Sequence, residues 1–219
     1  MNIMKPINNR VLAGIEVPTT SIVGRAIDYA RRTCEPYLFN HVMRSWLFAA
    51  RIAQLKSIEH DAEVVAVGTL LHDITLNKDF AGRRRFEVEG ADLARSFATD
   101  LGFDKRRAQL IWDSVALNST ASIALHKEAE VALGTMGIGL DFGGFGLEAM
   151  IPPVEMTAIL KAFPRLKMKH SFAETCRHLV ATRPETSSDN FLRDFGERFV
   201  PGYKPVSTVD LLMNAPFDE

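Results

Sequence analysis

The sequence has few cysteines, no long apolar run and no apolar leader. Its two cysteines, Cys34 and Cys176, are not spaced like metal ligands, and a chain of 219 residues needs no disulfide to close its core. No stretch approaches the roughly 18 uncharged apolar residues of a membrane-spanning helix, and the N-terminus lacks a signal-type apolar segment. These absences predict an unprocessed, soluble protein of the reducing cytoplasm.

Charge of either sign is not in excess. The 26 basic and 27 acidic side chains give a formal net charge of −1. No global field therefore attracts a nucleic acid or an anionic membrane. We expect a small-molecule substrate as the partner, with no nucleic acid and no membrane.

Apolar residues make up 47% of the chain, and they recur at helical spacing. Helices are predicted with N-caps at Thr19 or Thr20, Asn40, Asp61 and Asp104, and another from about Glu87 to Asp100. Three more are predicted in "PPVEMTAILKAFP", "SFAETCRHLVATRP" and "SSDNFLRDFGERFVP". Because no β-hairpin signal is evident, the predicted fold class is all-α. A single helical domain at residues 19–219 is expected to follow a loosely attached arm at residues 1–18.

One segment departs from the helical pattern. "LGTMGIGLDFGGFG" holds six glycines in fourteen residues. Glycine is favoured where the backbone turns sharply or approaches another group closely. The segment therefore predicts a loop or a broken helix end with a close backbone contact.

The stretch "LLHDITLN" places His72 and Asp73 side by side, directly after the apolar run "EVVAVGTLL". Imidazole nitrogen and carboxylate oxygen together suit zinc, manganese or ferrous iron. Adjacent residues on a helix point about 100° apart, so they converge only on a group at the helix end. His41 in "FNHVMRSW" and Asp141 in "GLDFGG" are the further ligand candidates. The alternative for a lone His-Asp pair is a surface or capping role.

The order of these motifs resembles HD-domain proteins, an all-helical superfamily of metal-dependent hydrolases with an early His, an internal His-Asp pair and a late Asp. The chain is most similar to the cyanamide hydratase-like branch. The resembling blocks are "VPTTSIVGRAIDYARR", "LFNHVMRSWLFAARIA", "VGTLLHDITLNKDF", "RRRFEVEGADLARSFA", "SIALHKEAEVALGTMGIGLDFGG" and "AFPRLKMK". The resemblance implies a helical bundle with a metal site in its core, ligated by His41, His72, Asp73 and Asp141. It also implies one divalent ion, zinc first, with iron or manganese as alternatives.

The resemblance further implies that Arg44, Glu87, Asn118 and His126 border a substrate pocket. Three of these residues have an alternative role, and Asn118 differs from the usual residue of the family. Arg44 is equally suited to a structural ion pair with Asp141, Glu87 to the first turn of a helix, and His126 to the surface. At Asn118 many relatives have a histidine, and an amide is a poor zinc ligand by comparison.

These observations favour an enzyme that adds metal-activated water to a small nitrile-like or amide-like carbon. Hydration of cyanamide to urea is its most concrete form, with Asp73 as the catalytic acceptor of the water's proton. One rival is a phosphohydrolase of a nucleotide or another phosphate ester. Lys78 and the arginines at 83–85 could bind phosphate, or they could simply form a solvent-exposed loop face. Leu76 disfavours this rival, because such enzymes commonly have an acidic residue at that position.

A second rival is a non-catalytic module that binds metal and ligand without turnover. Asn118, in place of the usual histidine, motivates it. Separately, the segment "FLRDFGERFV" carries an apolar helix face. Through that face we expect the chain to form a homodimer.

Overall fold

The computed structural model describes residues 9–144 and 146–217, and most of them are helical. Two short strands come first, β1 (Asn9–Leu12) and β2 (Ile15–Pro18). The helices are α1 (Ser21–Thr33), α2 (Pro36–Lys56), α3 (Ala62–Leu71), α4 (Phe86–Asp100), α5 (Lys105–Ala116), α6 (Ala121–Ala124), α7 (Ala129–Gly143), α8 (Pro153–Ala162), α9 (Met168–Thr182), α10 (Leu192–Phe199) and α11 (Thr208–Met213). Short 3₁₀ turns lie at Glu148–Met150 and Pro184–Thr186. The predicted all-α fold class is confirmed.

Three predicted N-caps are confirmed by hydrogen bonds. The side chains of Thr20, Asp61 and Asp104 accept from amides in the first turns of α1, α3 and α5. The cap predicted at Asn40 is wrong, because α2 already begins at Pro36. Proline favours the first helical position, where its missing N–H costs no hydrogen bond.

Strands β1 and β2 form an antiparallel hairpin that the sequence analysis missed. Its turn is Ala13-Gly14, with φ of 51° and 86°. Such two-residue turns usually carry Asn-Gly or Asp-Gly, so Ala-Gly gives a weak signal. Ile15 and Val17 are buried, and β2 packs against α2 and α3. The division between an arm at residues 1–18, only part of which is described, and a domain beyond it stays a prediction.

The central element is α3. Every residue from Val64 to Leu71 is buried, as the nearly continuous apolar run predicts. Helices α1, α2, α5 and α7 pack around it. Among the described residues, no helix is both long and apolar enough to cross a membrane.

The described part of the glycine-rich segment is mostly helical, which corrects the prediction of a loop, whereas the alternative of a helix end holds near its C-terminal side. It forms most of α7, which continues to Gly143 before Gly144 turns the chain at φ 77°. The predicted close backbone contact does exist. A Cβ at Gly137 would collide with the carbonyl oxygen of Ser45 and lie 2.7 Å from the amide nitrogen of Ala49 on α2. The glycines therefore bring α7 against α2, and tertiary packing outweighs their low helix propensity.

Gly137→Ala is expected to destabilise the protein. The added methyl meets backbone atoms of α2 that cannot move aside, so the free energy of unfolding should fall by about 1–3 kcal/mol. Chemical denaturation followed by circular dichroism measures it. Gly24→Ala is the matched control, since Gly24 is exposed on α1 with open space around it. That change should stabilise by about 0.5–1 kcal/mol through helix propensity. Equal effects in the two variants would disprove the close-contact account.

Candidate metal centre

Two packed helices bring the central side chains together. His41 lies in the middle of α2, and His72 and Asp73 follow directly on the last turn of α3. All three are buried, at 1%, 1% and 3% exposure. Because the helix ends at this point, the adjacent His72 and Asp73 turn toward the same group, as their sequence predicts.

Three potential ligand atoms converge. His41 Nε2 lies 3.2 Å from His72 Nε2, and Asp73 Oδ2 lies 3.2 Å from His72 Nε2 and 3.7 Å from His41 Nε2. In a tetrahedral site with ligands about 2.1 Å from the ion, the ligand atoms are about 3.4 Å apart. The three separations therefore match the edges of such a site.

The other ring nitrogens are already engaged. His41 Nδ1 lies 2.6 Å from Asp141 Oδ2, and His72 Nδ1 lies 2.7 Å from the carbonyl oxygen of Thr69. Both partners are acceptors, so both Nδ1 atoms carry protons when the rings are neutral, which is the form that binds a metal ion. The two Nε2 lone pairs then face each other across 3.2 Å. A cation between them relieves that repulsion, and these residues therefore fit a divalent metal ion.

Asp141 does not join this group. Its carboxylate accepts from Arg44 Nε at 2.6 Å and Arg44 Nη2 at 2.8 Å, as well as from His41. Arg165 Nη1 adds a contact of 3.2 Å to Oδ1. The structure thus places Asp141 behind His41, where it orients the ring. Metal ligation by Asp141 stays a prediction.

Both carboxylates are held in the ionised form. Burial raises the pKa of Asp73, but the imidazoles of His72 and His41 outweigh it and the pKa lies below its ordinary value. For Asp141, burial also raises the pKa, whereas hydrogen bonds from Arg44 and His41 bring it well below its usual range. An ionised carboxylate is the form that binds or supports a cation.

The three candidate ligand residues line a cavity of about 370 Å³. Its wall is mostly apolar and includes the rings of Phe142, Phe172 and Phe191. Its further polar side chains are Asn118, Ser119 and Thr135, and no lysine or arginine of the described residues lines it. The hydroxyl of Thr135 has no hydrogen-bond partner within the described part of the chain.

Of the four predicted pocket residues, Asn118 lines the cavity. Its Nδ2 donates to the carbonyl oxygens of Val115 at 2.8 Å and His72 at 3.3 Å. Glu87 lies behind the wall and accepts from Ser119 Oγ at 2.7 Å. It is fully buried, so it fixes the position of Ser119 at the cavity surface.

Arg44 and His126 do not line the cavity in the structure. Arg44 is fully buried and also donates to the carbonyl oxygen of Phe163, which makes it part of the support of Asp141. His126 is exposed near α6. Substrate contact by these two side chains stays a prediction, and the alternative roles named for them match their positions.

Sequence reasoning missed several cavity residues. Thr135, Ile138 and Phe142 recur at three- and four-residue spacing on one face of α7, a signal that periodicity could have given. Phe172 and Phe191 come from α9 and the start of α10. No spacing in the sequence connects those two rings to the metal-type residues.

Fold and site together define a helical protein with a buried His-His-Asp metal-type site in the wall of an apolar cavity. Residues 38–141 match the family described as HD domain, a segment that begins just before His41 and ends at Asp141. The match supports an HD domain at these residues, a family whose members are generally metal-dependent hydrolases. No curated protein matches the chain in sequence.

Proposed function

We propose that the protein is a metal-dependent hydrolase or hydro-lyase that adds water to a nitrile-like or amide-like carbon, with cyanamide to urea as its most concrete form. The observation that carries the proposal is the cavity itself. Three metal-type ligand atoms meet an apolar space that no described lysine or arginine lines. Such a space suits an uncharged electrophile.

His41, His72 and Asp73 would hold one divalent ion. Two imidazoles and a carboxylate are a zinc-type set that iron or manganese also accept. When bound, the ion lowers the pKa of a water molecule from far above neutral toward about 7, which supplies a nucleophile near neutral pH. The branch-specific activity is inferred from the resemblance of the sequence and from the apolar cavity.

The chain's own residues account for binding and proton transfer. In cyanamide hydration, the water oxygen bonds to the nitrile carbon, and one π pair of the C≡N bond moves to nitrogen. One water proton joins that pair and gives isourea. The second proton then leaves the oxygen, whose O–H pair forms the C=O bond, and joins the same nitrogen through the remaining C=N π pair, which gives urea. Asp73 would carry a proton, a role supported by the position of Oδ2 beside both imidazoles and by the lack of a donor to Oδ1 among the described residues.

Two observations disfavour the phosphohydrolase rival. Leu76 is buried in the core, so no carboxylate lies three residues after Asp73 to orient a water molecule. Two of the candidate cations are already paired with carboxylates: Arg84 with Glu89 and Arg85 with Glu87. A dianionic phosphate ester would therefore enter the cavity without a cationic partner from its wall.

A zinc-loaded sample incubated with cyanamide is expected to form urea, detected by urease-coupled release of ammonia. Removal of the ion with a chelator should reduce the rate to background, and zinc should restore it, because the nucleophile depends on the ion. p-Nitrophenyl phosphate is the comparison substrate and should remain intact. Its hydrolysis without urea formation would favour the phosphohydrolase. Bound metal without turnover of nitrile, amide or phosphate substrates would favour the binding module.

Partners and location remain predictions. The apolar face of "FLRDFGERFV" is partly used inside the chain, since Phe191 and Phe195 pack on Phe172. Phe199 is still 44% exposed and leaves part of that face for a homodimer. Both cysteines are free and buried, which is compatible with the proposed cytoplasmic location.

A further inference from the structure

We propose that the preferred substrate is larger than cyanamide and combines two features. It carries an N–H donor beside the reacting carbon, bound by Asn118, and an uncharged apolar group, aromatic by preference, bound by the phenylalanine wall. This inference rests on the proposed function and specifies its substrate class. Three independent features of the cavity support it: its size, its rings and its polar atoms.

The cavity is too large for cyanamide alone. Its volume is about 370 Å³, whereas one water molecule takes a share of about 30 Å³ in the liquid. A molecule of three heavy atoms occupies roughly two such shares and leaves most of the space unused. Cavities of at least about 300 Å³ typically bind organic molecules of much larger size.

The unused space has an aromatic wall that starts at a ligand residue. The ring of Phe172 lies 6.4 Å from that of His41 and 5.4 Å from that of Phe142. Phe191 stacks on Phe172 at 5.9 Å and lies 6.3 Å from Phe142. Ring pairs attract when their centroids lie about 4.5–7 Å apart. A substrate ring beside these three phenylalanines would add further pairs of the same kind.

The polar side of the cavity presents an acceptor close to the ligand residues. Asn118 Nδ2 is fully used by two backbone carbonyls, and one of them belongs to His72. Its Oδ1 therefore faces away from those carbonyls and has no donor among the described residues. Ser119 Oγ likewise donates its only hydrogen bond to Glu87. The lone pairs of both oxygens remain for a substrate N–H, and they oppose an acceptor-rich anion.

Three small ligands separate the two features: benzamide has the ring and the N–H₂, acetamide lacks the ring, and acetophenone has a methyl in place of the N–H₂. Titration of the zinc-loaded full chain, followed by protein NMR shifts, gives their dissociation constants. We expect benzamide to bind at least about tenfold more tightly than either of the others. If acetamide bound as tightly as benzamide, the aromatic site would be overturned. If acetophenone bound as tightly as benzamide, the role of Asn118 would be overturned.

Two variants test where the aromatic ring of benzamide binds. Phe142 and Phe199 are both 44% exposed, but only Phe142 lines the cavity. Phe142→Ala should weaken the binding of benzamide about fivefold and leave the binding of acetamide unchanged, whereas Phe199→Ala should change the affinity for neither ligand. Equal effects of the two variants would contradict the site. Because binding is measured without turnover, the selectivity can hold while the proposed reaction fails, and the two failures are distinguishable.

Discussion

His72→Ala is expected to release the metal ion and abolish hydration while the helices stay intact. Residues that only support a metal ligand typically change metal affinity 10–100-fold, so loss of a direct ligand should cost more than about 100-fold. Loss of His72 Nε2 also leaves His41 Nε2 and Asp73 Oδ2 as an incomplete set. Elemental analysis after gel filtration measures bound metal, and far-ultraviolet circular dichroism measures helical content.

His170→Ala is the matched control for this variant. His170 is an exposed histidine on α9, outside the ligand group and the cavity wall. The control should keep about one ion per chain, together with the activity. Retention of the metal and activity by His72→Ala would show that the ligand group has been wrongly assigned. An equal loss in both variants would point to general damage instead.

Arg44→Met is expected to lower the free energy of unfolding by about 3–5 kcal/mol. Arg44 and Asp141 are both buried, and two hydrogen bonds of 2.6 and 2.8 Å join them. Loss of the guanidinium leaves the Asp141 carboxylate with Arg165 as its remaining cationic neighbour among the described arginines. A buried charge without adequate compensation destabilises the fold. Urea denaturation of the metal-free protein isolates this effect from metal binding.

The control for Arg44 is an exposed ion pair. Arg193 and Glu197 lie one turn apart on α10 at 2.9 Å, with side-chain exposures of 46% and 48%. Arg193→Met should change the free energy of unfolding by less than about 0.5 kcal/mol, because such pairs are well solvated. If the two arginine variants differ by less than 1 kcal/mol, Arg44 does not have the structural role inferred here.

The helices were predictable where local chemistry decides their ends. The sequence predicts the caps Thr20, Asp61 and Asp104 from their residue type and position. The apolar run of α3 likewise indicates a buried helix. The glycine-rich α7 was not predictable in this way. Its helical form depends on close contact between Gly137 and α2, a tertiary feature without a local signal. The hairpin was missed for a related reason, since Ala13 occupies a turn position that usually carries Asn, Asp or Gly.

The site was predictable to the extent that its residues are adjacent or belong to a known pattern. His72 and Asp73 are neighbours, and His41 follows from the resemblance to HD-domain proteins. The role of Asp141 shows the limit. Residue type alone does not tell a ligand carboxylate from one that orients a ligand. The structure adds the contacts of Asp141 with Arg44 and His41, and metal ligation by Asp141 stays a prediction.

Anomalous X-ray diffraction from crystals grown with zinc would locate the ion itself. We predict one peak about 2.0–2.2 Å from His41 Nε2, His72 Nε2 and Asp73 Oδ2. The same map would show whether Asp141 stays on Arg44 or moves to the ion. No peak at these three atoms after zinc incubation, or a peak bound elsewhere in the chain, would contradict the metal centre and the hydration chemistry that depends on it.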